Sequence, residues 1–148
     1  MKIKKKNNPT SNKLPKISFI IPTLNASKFL PQCLKSIRSQ DYPQDKIEII
    51  VADGGSTDTT RDIAKKHNAL IIDNPEVLHE PGKARASEIA TGKVLFFTDS
   101  DNELSSAHWV TDMIRPYIEN PNMKIQGFLA QTIPPKNWNS FDRYMGYL

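Results

Sequence analysis

The chain has 148 residues, with 20 Lys and Arg against 16 Asp and Glu and a formal net charge of +4, enough length to bury a core without covalent staples. Its one cysteine, Cys33, excludes an intrachain disulfide and a multi-cysteine metal centre, and no run approaches the roughly 18 apolar residues of a membrane-spanning helix. Lys2, Lys4, Lys5, Lys6, Lys13 and Lys16 all precede the first apolar run and the remainder is close to neutral, so the excess charge does not describe a nucleic-acid-binding surface.

Residues 1–15 are rich in Lys, Asn, Pro and Ser and lack an apolar stretch. That composition predicts a disordered basic tail, not a secretory signal, and gives the tail an attraction for anionic lipid headgroups. Ile17–Pro22 predicts a first strand, stopped by a proline that cannot donate into a sheet ladder, so that the loop Pro22-Thr23-Leu24-Asn25 opens at its carboxyl end. From Ser27 to about Gln40, apolar residues at 29, 30, 33, 34 and 37 mark one face of a helix capped by Ser27, and Cys33 belongs to that packing face. Ile47–Ala52 is the next strand. It runs into Asp53-Gly54-Gly55-Ser56-Thr57-Asp58, a turn whose glycines open otherwise closed backbone angles and whose polar residues can cap a helix reaching about His67.

Ala69–Asp73 predicts a short third strand, Asn74–Gly82 a loop, and Lys83–Thr91 a short helix closed by Gly92. Lys93–Thr98 carries the aromatic and β-branched content of a central strand covered on both faces. It ends in Asp99-Ser100-Asp101. Side chains alternate along an extended backbone, so both carboxylates would project to one side and could share a divalent cation that relieves their repulsion. A helix capped by Ser105 or Ser106 and reaching Asn120 follows, then a strand at Ile125–Thr132 and an amphipathic helix starting at Trp138. Strands alternating with helices predict an α/β fold, a mostly parallel central sheet with helices on both faces. Ligands bind such sheets beyond the carboxyl ends of the strands, which places Thr23 and Asn25, Asp53 to Asp58, and Asp99 to Asp101 along one edge.

Four of these stretches, Ser18–Asn25, Val51–Thr60, Gly82–Ala86 and Thr98–Asp101, taken in this order and at this spacing, resemble the successive motifs of the inverting family 2 glycosyltransferases. The resemblance covers nearly everything from Lys16 to about Thr132. It implies a Rossmann-like GT-A fold with a basic tail at 1–15 and a nucleotide-sugar-binding domain from 16 to 148. It also implies transfer of a sugar from a nucleoside-diphosphate sugar, with UDP favoured, to a saccharide or lipid acceptor hydroxyl in polysaccharide or glycolipid biosynthesis. By the same resemblance Pro22, Thr23 and Asn25 line the nucleotide pocket, Asp53 accepts a hydrogen bond from the base, and Gly55 and Ser56 shape the loop beside it. Lys83 and Arg85 serve the diphosphate, with Arg85 placed at a helix start. Asp99 and Ser100 face the donor, while Asp99 and Asp101 hold Mn²⁺ or Mg²⁺. His67, His79 and His108 have no ligand-like spacing, although His79 lies in the loop before Arg85.

The chain departs from the family pattern at Leu24, where an aromatic residue often stacks on the base, at Ala26, where glutamate is frequent, and at Gly54, where a second aspartate is common. In the family the general base and acceptor segment lie well downstream, which sets the base beyond Leu148. The expectation is a donor-binding half that binds donor without transferring sugar, and an apolar face around Phe128 and Trp138 that favours self-association. Two other readings stand. A non-catalytic sugar-nucleotide-binding module accounts for the missing base. A nucleotidyltransferase calls for a glycine-rich basic loop that Pro22–Asn25 does not supply. The expected setting is a reducing cytoplasmic one, extending to the cytoplasmic face of the membrane through contacts of the tail.

Overall fold

The computed structural model describes residues 14–119. They form β1 (Ile17–Thr23), α1 (Leu30–Arg38), β2 (Ile47–Asp53), α2 (Thr60–Lys66), β3 (Leu70–Asp73), α3 (His79–Ile89), β4 (Val94–Phe97) and α4 (Trp109–Glu119). A first compact unit ends at Ile114, inside α4, and the second begins at Arg115. The tail, the strand expected at Ile125–Thr132, the helix expected from Trp138 and the apolar face around Phe128 fall outside the described residues.

All four strands are parallel, in the order β3-β2-β1-β4. Ile17 is level with Ile47 on one side and Val94 on the other. β1, paired on both sides, is buried along its whole length, as its unbroken apolar run requires. Alternation then sorts the helices. Ile20 and Ala52 point toward α3, where they cluster with Ile50 and Ala86. Phe19 points the other way, its ring 5.2 Å from Phe96 and 6.5 Å from Trp109 of α4. Burying a phenylalanine there contributes about 1.5–3 kcal/mol. Arg38 of α1 donates to the His67 and Asn68 carbonyls and so satisfies the carboxyl end of α2.

Several expectations are corrected. The first strand does not stop at Pro22 but continues to Thr23. The carbonyls of Lys16 and Ile20 accept from Lys93 and Thr98, so even-numbered residues of β1 face β4. Pairing with β4 has ended at Phe97, and the nitrogen of Pro22 therefore costs no ladder bond. Ser27 does not cap α1; its N–H donates to Asp58 Oδ2 at 3.1 Å, and the helix starts at Leu30 with Pro31 in its first turn. α3 begins at His79, inside the expected loop, because Pro81 falls in the first turn, where a missing N–H is tolerated. It ends at Ile89, so Gly92 is not its cap. Ser105 and Ser106 do not cap α4 by their side chains; Gln40 Oε1 accepts the Val110 N–H at 3.0 Å.

Among the described residues β4 lies at the sheet edge, not its centre. Phe96 is buried, yet Phe97 is 53% exposed. Asp99 and Asp101 lie beyond the strand, which ends at Phe97. The Asn102 N–H donates to the Asp99 carbonyl at 3.2 Å, closing a turn just past the strand.

The opposite end of the sheet is held by Glu48 on β2. Its Oε2 accepts the Ser18 hydroxyl at 2.5 Å and the Thr91 N–H at 2.9 Å, and its Oε1 accepts Thr91 Oγ1 at 2.7 Å and Lys16 Nζ at 3.2 Å. Gly92 donates to Ser18 Oγ from so close that a Cβ on it would lie 2.5 Å from that oxygen and 2.6 Å from the Ser18 nitrogen. Gly92→Ala is therefore expected to cost about 1–3 kcal/mol in urea unfolding through overpacking against backbone. Burial pushes the Glu48 carboxyl up, but bonds from Ser18, Thr91 and Lys16 outweigh it and bring it down to about 2. An unfolded glutamate titrates near about 4.3, so this stabilisation is complete above that pH and is lost as pH falls toward the folded value. Urea midpoints across that window should fall less steeply with acid in Glu48→Gln than in the unaltered chain; equal slopes would remove Glu48 from this role.

Candidate functional site

The carboxyl edge of the sheet carries the loops after β1 and β2, locked to each other. Asp53, the last residue of β2, has a side chain with no exposed surface. Its Oδ1 accepts Ser56 Oγ at 2.5 Å and Thr23 Oγ1 at 3.4 Å. Its Oδ2 accepts the Ser56 N–H at 3.1 Å and Arg61 Nη1 at 3.0 Å. A carboxylate has about four acceptor positions, and all are taken. Burial pushes the Asp53 carboxyl up, but the Ser56 and Arg61 donors outweigh it and hold it below the usual range. Asp53 thus organises the loop, and an incoming N–H would have to displace one of its donors.

Around this centre the loops interlock. The Asn25 N–H donates to Ser56 Oγ at 2.8 Å, and Asn25 Oδ1 accepts the Thr57 N–H at 2.9 Å. Asn25 does so with φ of 49°, a left-handed angle that asparagine tolerates. Gly55, at φ of 91°, supplies the angle that lets Ser56 turn back onto Asp53. The Ala26 N–H donates to Thr60 Oγ1 at 2.8 Å. Asp58 accepts from the Ser27 and Thr60 hydroxyls and, with them, from both backbone N–H groups, bonds that hold its carboxyl well below the usual range. Leu24 is left 47% exposed on the surface of this arrangement.

The acidic turn lies on the other side of β1 from β2, tethered by the Thr98 N–H on the Ile20 carbonyl at 3.1 Å. Asp99 and Asp101 keep exposed carboxylates, and His79 Nδ1 in the first turn of α3 is 3.9 Å from Asp99 Oδ1. Below them is Cys33, whose thiol is pushed up to about 12 by its burial and by the charges of Asp101, Asp99 and Glu103. That places concentrated negative charge at the turn. Among the described residues no group of three His, Cys, Asp or Glu side chains gathers to hold a metal. The donor set, two carboxylates with the remaining positions open, fits a hard cation completed by phosphate oxygens and water.

Lys83 and Arg85 lie on α3. Arg85 is in its second turn, not at the free N–H groups of a helix start, because the helix begins six residues earlier than Arg85 at His79. Both cations meet acids: Lys83 Nζ is 3.1 Å from Glu80 and Arg85 Nη2 is 3.1 Å from Glu76. Thr23, Asn25, Asp53 and Ser56 are therefore brought into one network, while Lys83 and Arg85 stand apart from it on α3. Sequence reasoning missed Arg61, which bridges buried Asp53 and exposed Asp73 at 3.0 and 2.8 Å. Its signal was a basic residue in the first turn of the helix that follows the Asp53 loop.

The chain has relatives among known proteins. Glycosyltransferase AglE of Haloferax volcanii is 36% identical over 95 residues, 60% of this chain and 31% of that protein. A crystal structure of Staphylococcus aureus TarS, residues 1–349, superposes with a TM-score of 0.63 at 27% identity, covering 81% of this chain and 38% of that one. TarS has also been crystallised with UDP and with UDP-GlcNAc. The mannosyltransferase PcManGT from Pyrobaculum calidifontis, solved with GDP-Man and Mn²⁺, superposes with a TM-score of 0.55 at 28% identity, covering 71% of this chain and 33% of that one. This chain spans less than half the length of each. The model of glycosyl transferase family 2 matches residues 18–145, and with that match over a parallel GT-A sheet, the chain belongs to glycosyl transferase family 2.

Proposed function

We propose that this chain holds a nucleoside-diphosphate sugar at the carboxyl edge of its sheet, with assistance from a divalent cation, for transfer of the sugar to an acceptor hydroxyl. The observation that carries the reading is the convergence at that edge of the interlocked loops after β1 and β2 and of the exposed acidic turn after β4. The UDP, UDP-GlcNAc and GDP-Man complexes of the neighbours support it. We infer further, from the composition of the tail, that it contacts anionic lipid headgroups at the cytoplasmic face of a membrane.

In this reading Pro22 to Asn25 and Gly55-Ser56 line the base and ribose, and Asp99, Ser100 and Asp101 face the diphosphate. Thr23 is the loosest of the four partners of Asp53; a ring N–H of the base would take its place on Oδ1. Lys83 and Arg85 would exchange their exposed glutamates for phosphate oxygens, which accept a guanidinium in two places at once. Asp99 and Asp101 would hold Mn²⁺ or Mg²⁺, which supplies Lewis-acid stabilisation of charge on the departing diphosphate. Without a cation the two carboxylates repel the same phosphates.

Calorimetry should therefore show tight UDP binding in Mn²⁺ and weak binding in EDTA, with Asp101→Ala losing only the Mn²⁺-dependent part. Equal affinity of the unaltered chain under both conditions would sink the cation reading. UDP should bind more tightly than GDP, and Asp53→Asn, which swaps an acceptor for a donor, should cost about 1.5–3 kcal/mol of UDP binding, the usual worth of a hydrogen bond to a charged group. Tighter binding of GDP would overturn the assignment of the base.

A further inference from the structure

Cys33 and Ser36 on α1, and Gln40 just past its end, are 2%, 9% and 6% exposed, set within an apolar face that includes Leu30, Leu34 and Ile37. Burying polar groups is unfavourable unless each finds a partner, and here each of the three has a partner in one segment, that after β4. The Cys33 thiol donates to the Asp99 carbonyl at 3.7 Å. Ser36 Oγ accepts the Leu104 N–H at 3.1 Å while donating to the Cys33 carbonyl at 2.7 Å. Gln40 Nε2 donates to the Ser106 carbonyl at 2.7 Å, and its Oε1 accepts the Val110 N–H at 3.0 Å. Asp41 continues the row: its N–H donates to the Ala107 carbonyl at 2.8 Å, and its Oδ1 accepts the Thr111 hydroxyl at 2.9 Å.

The chain from Asp99 to Thr111 is thus hooked onto α1 at intervals of a few residues, immediately downstream of β4. Apolar packing anchors only the far end of this segment, where Val110 is buried and the Trp109 ring lies 5.2 Å from Phe96. A cavity of about 350 Å³, lined by Gln32, Lys35, Ser39, Glu103 and Leu104 among others, opens between α1 and this segment. Where side chains do not interdigitate, hydrogen bonds carry more of the positioning. Resting on the cation-dependent reading proposed above, we infer that Ser36 and Gln40, together with Cys33, are positioning residues that fix the Asp99–Asp101 turn for its cation. They touch neither donor nor metal. They act as the outer supports of metal ligands do, by fixing the backbone that carries the carboxylates, and loss of such supports typically costs 10–100-fold in metal affinity.

The test measures free Mn²⁺ by electron paramagnetic resonance during titration of the chain in saturating UDP, for the unaltered protein, Ser36→Ala, Gln40→Met and the hydroxyl-keeping Ser36→Thr. Both polar deletions should weaken Mn²⁺ binding by about 10–100-fold, Ser36→Thr should recover most of it, and UDP affinity in EDTA should stay that of the unaltered chain. A purely structural role would not separate the two affinities. If far-UV circular dichroism shows one deletion unfolded, the other decides. Unchanged Mn²⁺ affinity in a folded deletion, or equal weakening with and without Mn²⁺, overturns the inference. If the unaltered chain itself shows no Mn²⁺ dependence, the cation reading fails first and takes this inference with it.

Discussion

The carboxylate of Asp53 is the interaction on which the edge of the sheet depends. A buried charge is tolerated only when paired and fully hydrogen-bonded, and Asp53 meets that condition by drawing Thr23 from β1, Ser56 from its own loop and Arg61 from α2 onto one group. The loops of two adjacent strands are thereby held as one surface. Glu48 plays the matching part at the other end of β2, where it gathers Lys16, Ser18 and Thr91. One strand thus carries an acid near each end. The two point to opposite faces, since five residues separate them along an alternating backbone.

The cations of the site are paired differently. Arg85 and Lys83 meet glutamates whose own side chains are more than half exposed, and such solvent-facing pairs contribute only about 0–1 kcal/mol. Breaking either pair costs correspondingly little. Arg61 is the exception, because one of its two carboxylates is fully buried, and it belongs to the frame more than to any binding surface.

The fold was legible because its signals are periodic and local. Apolar runs of strand length alternating with amphipathic stretches leave little choice but a parallel sheet with crossover helices. Most of the misjudged details turned on distant partners. A proline reads as a strand stop until the neighbour it fails to bond is seen to have ended already. Ser27, Ser105 and Ser106 read as caps by adjacency, whereas α1 has no side-chain cap and the start of α4 is served by Gln40, reaching Val110 across 70 positions. Gly92 reads as a helix terminator but is needed for close approach to Ser18. At the site, the residue types of the acidic pair were visible, yet the turn that carries them was not, because hydrogen bonds decide where the extended backbone ends. Arg61 and the buried polar row on α1 were invisible for the same reason.

The strand order has a consequence for how the chain assembles. β1 meets β2 after a short excursion through α1, and β2 meets β3 the same way, but β4 must return to the far side of β1, bringing Val94 level with Ile17. Closing so long a loop is entropically expensive, and contacts of high sequence separation form late. During synthesis, which releases the amino end first, the β3-β2-β1 half and its interlocked loops can therefore form before β4 arrives. The acidic turn is the last of the three loops to reach the edge, and it arrives at a row of polar groups on α1 already in place to receive it.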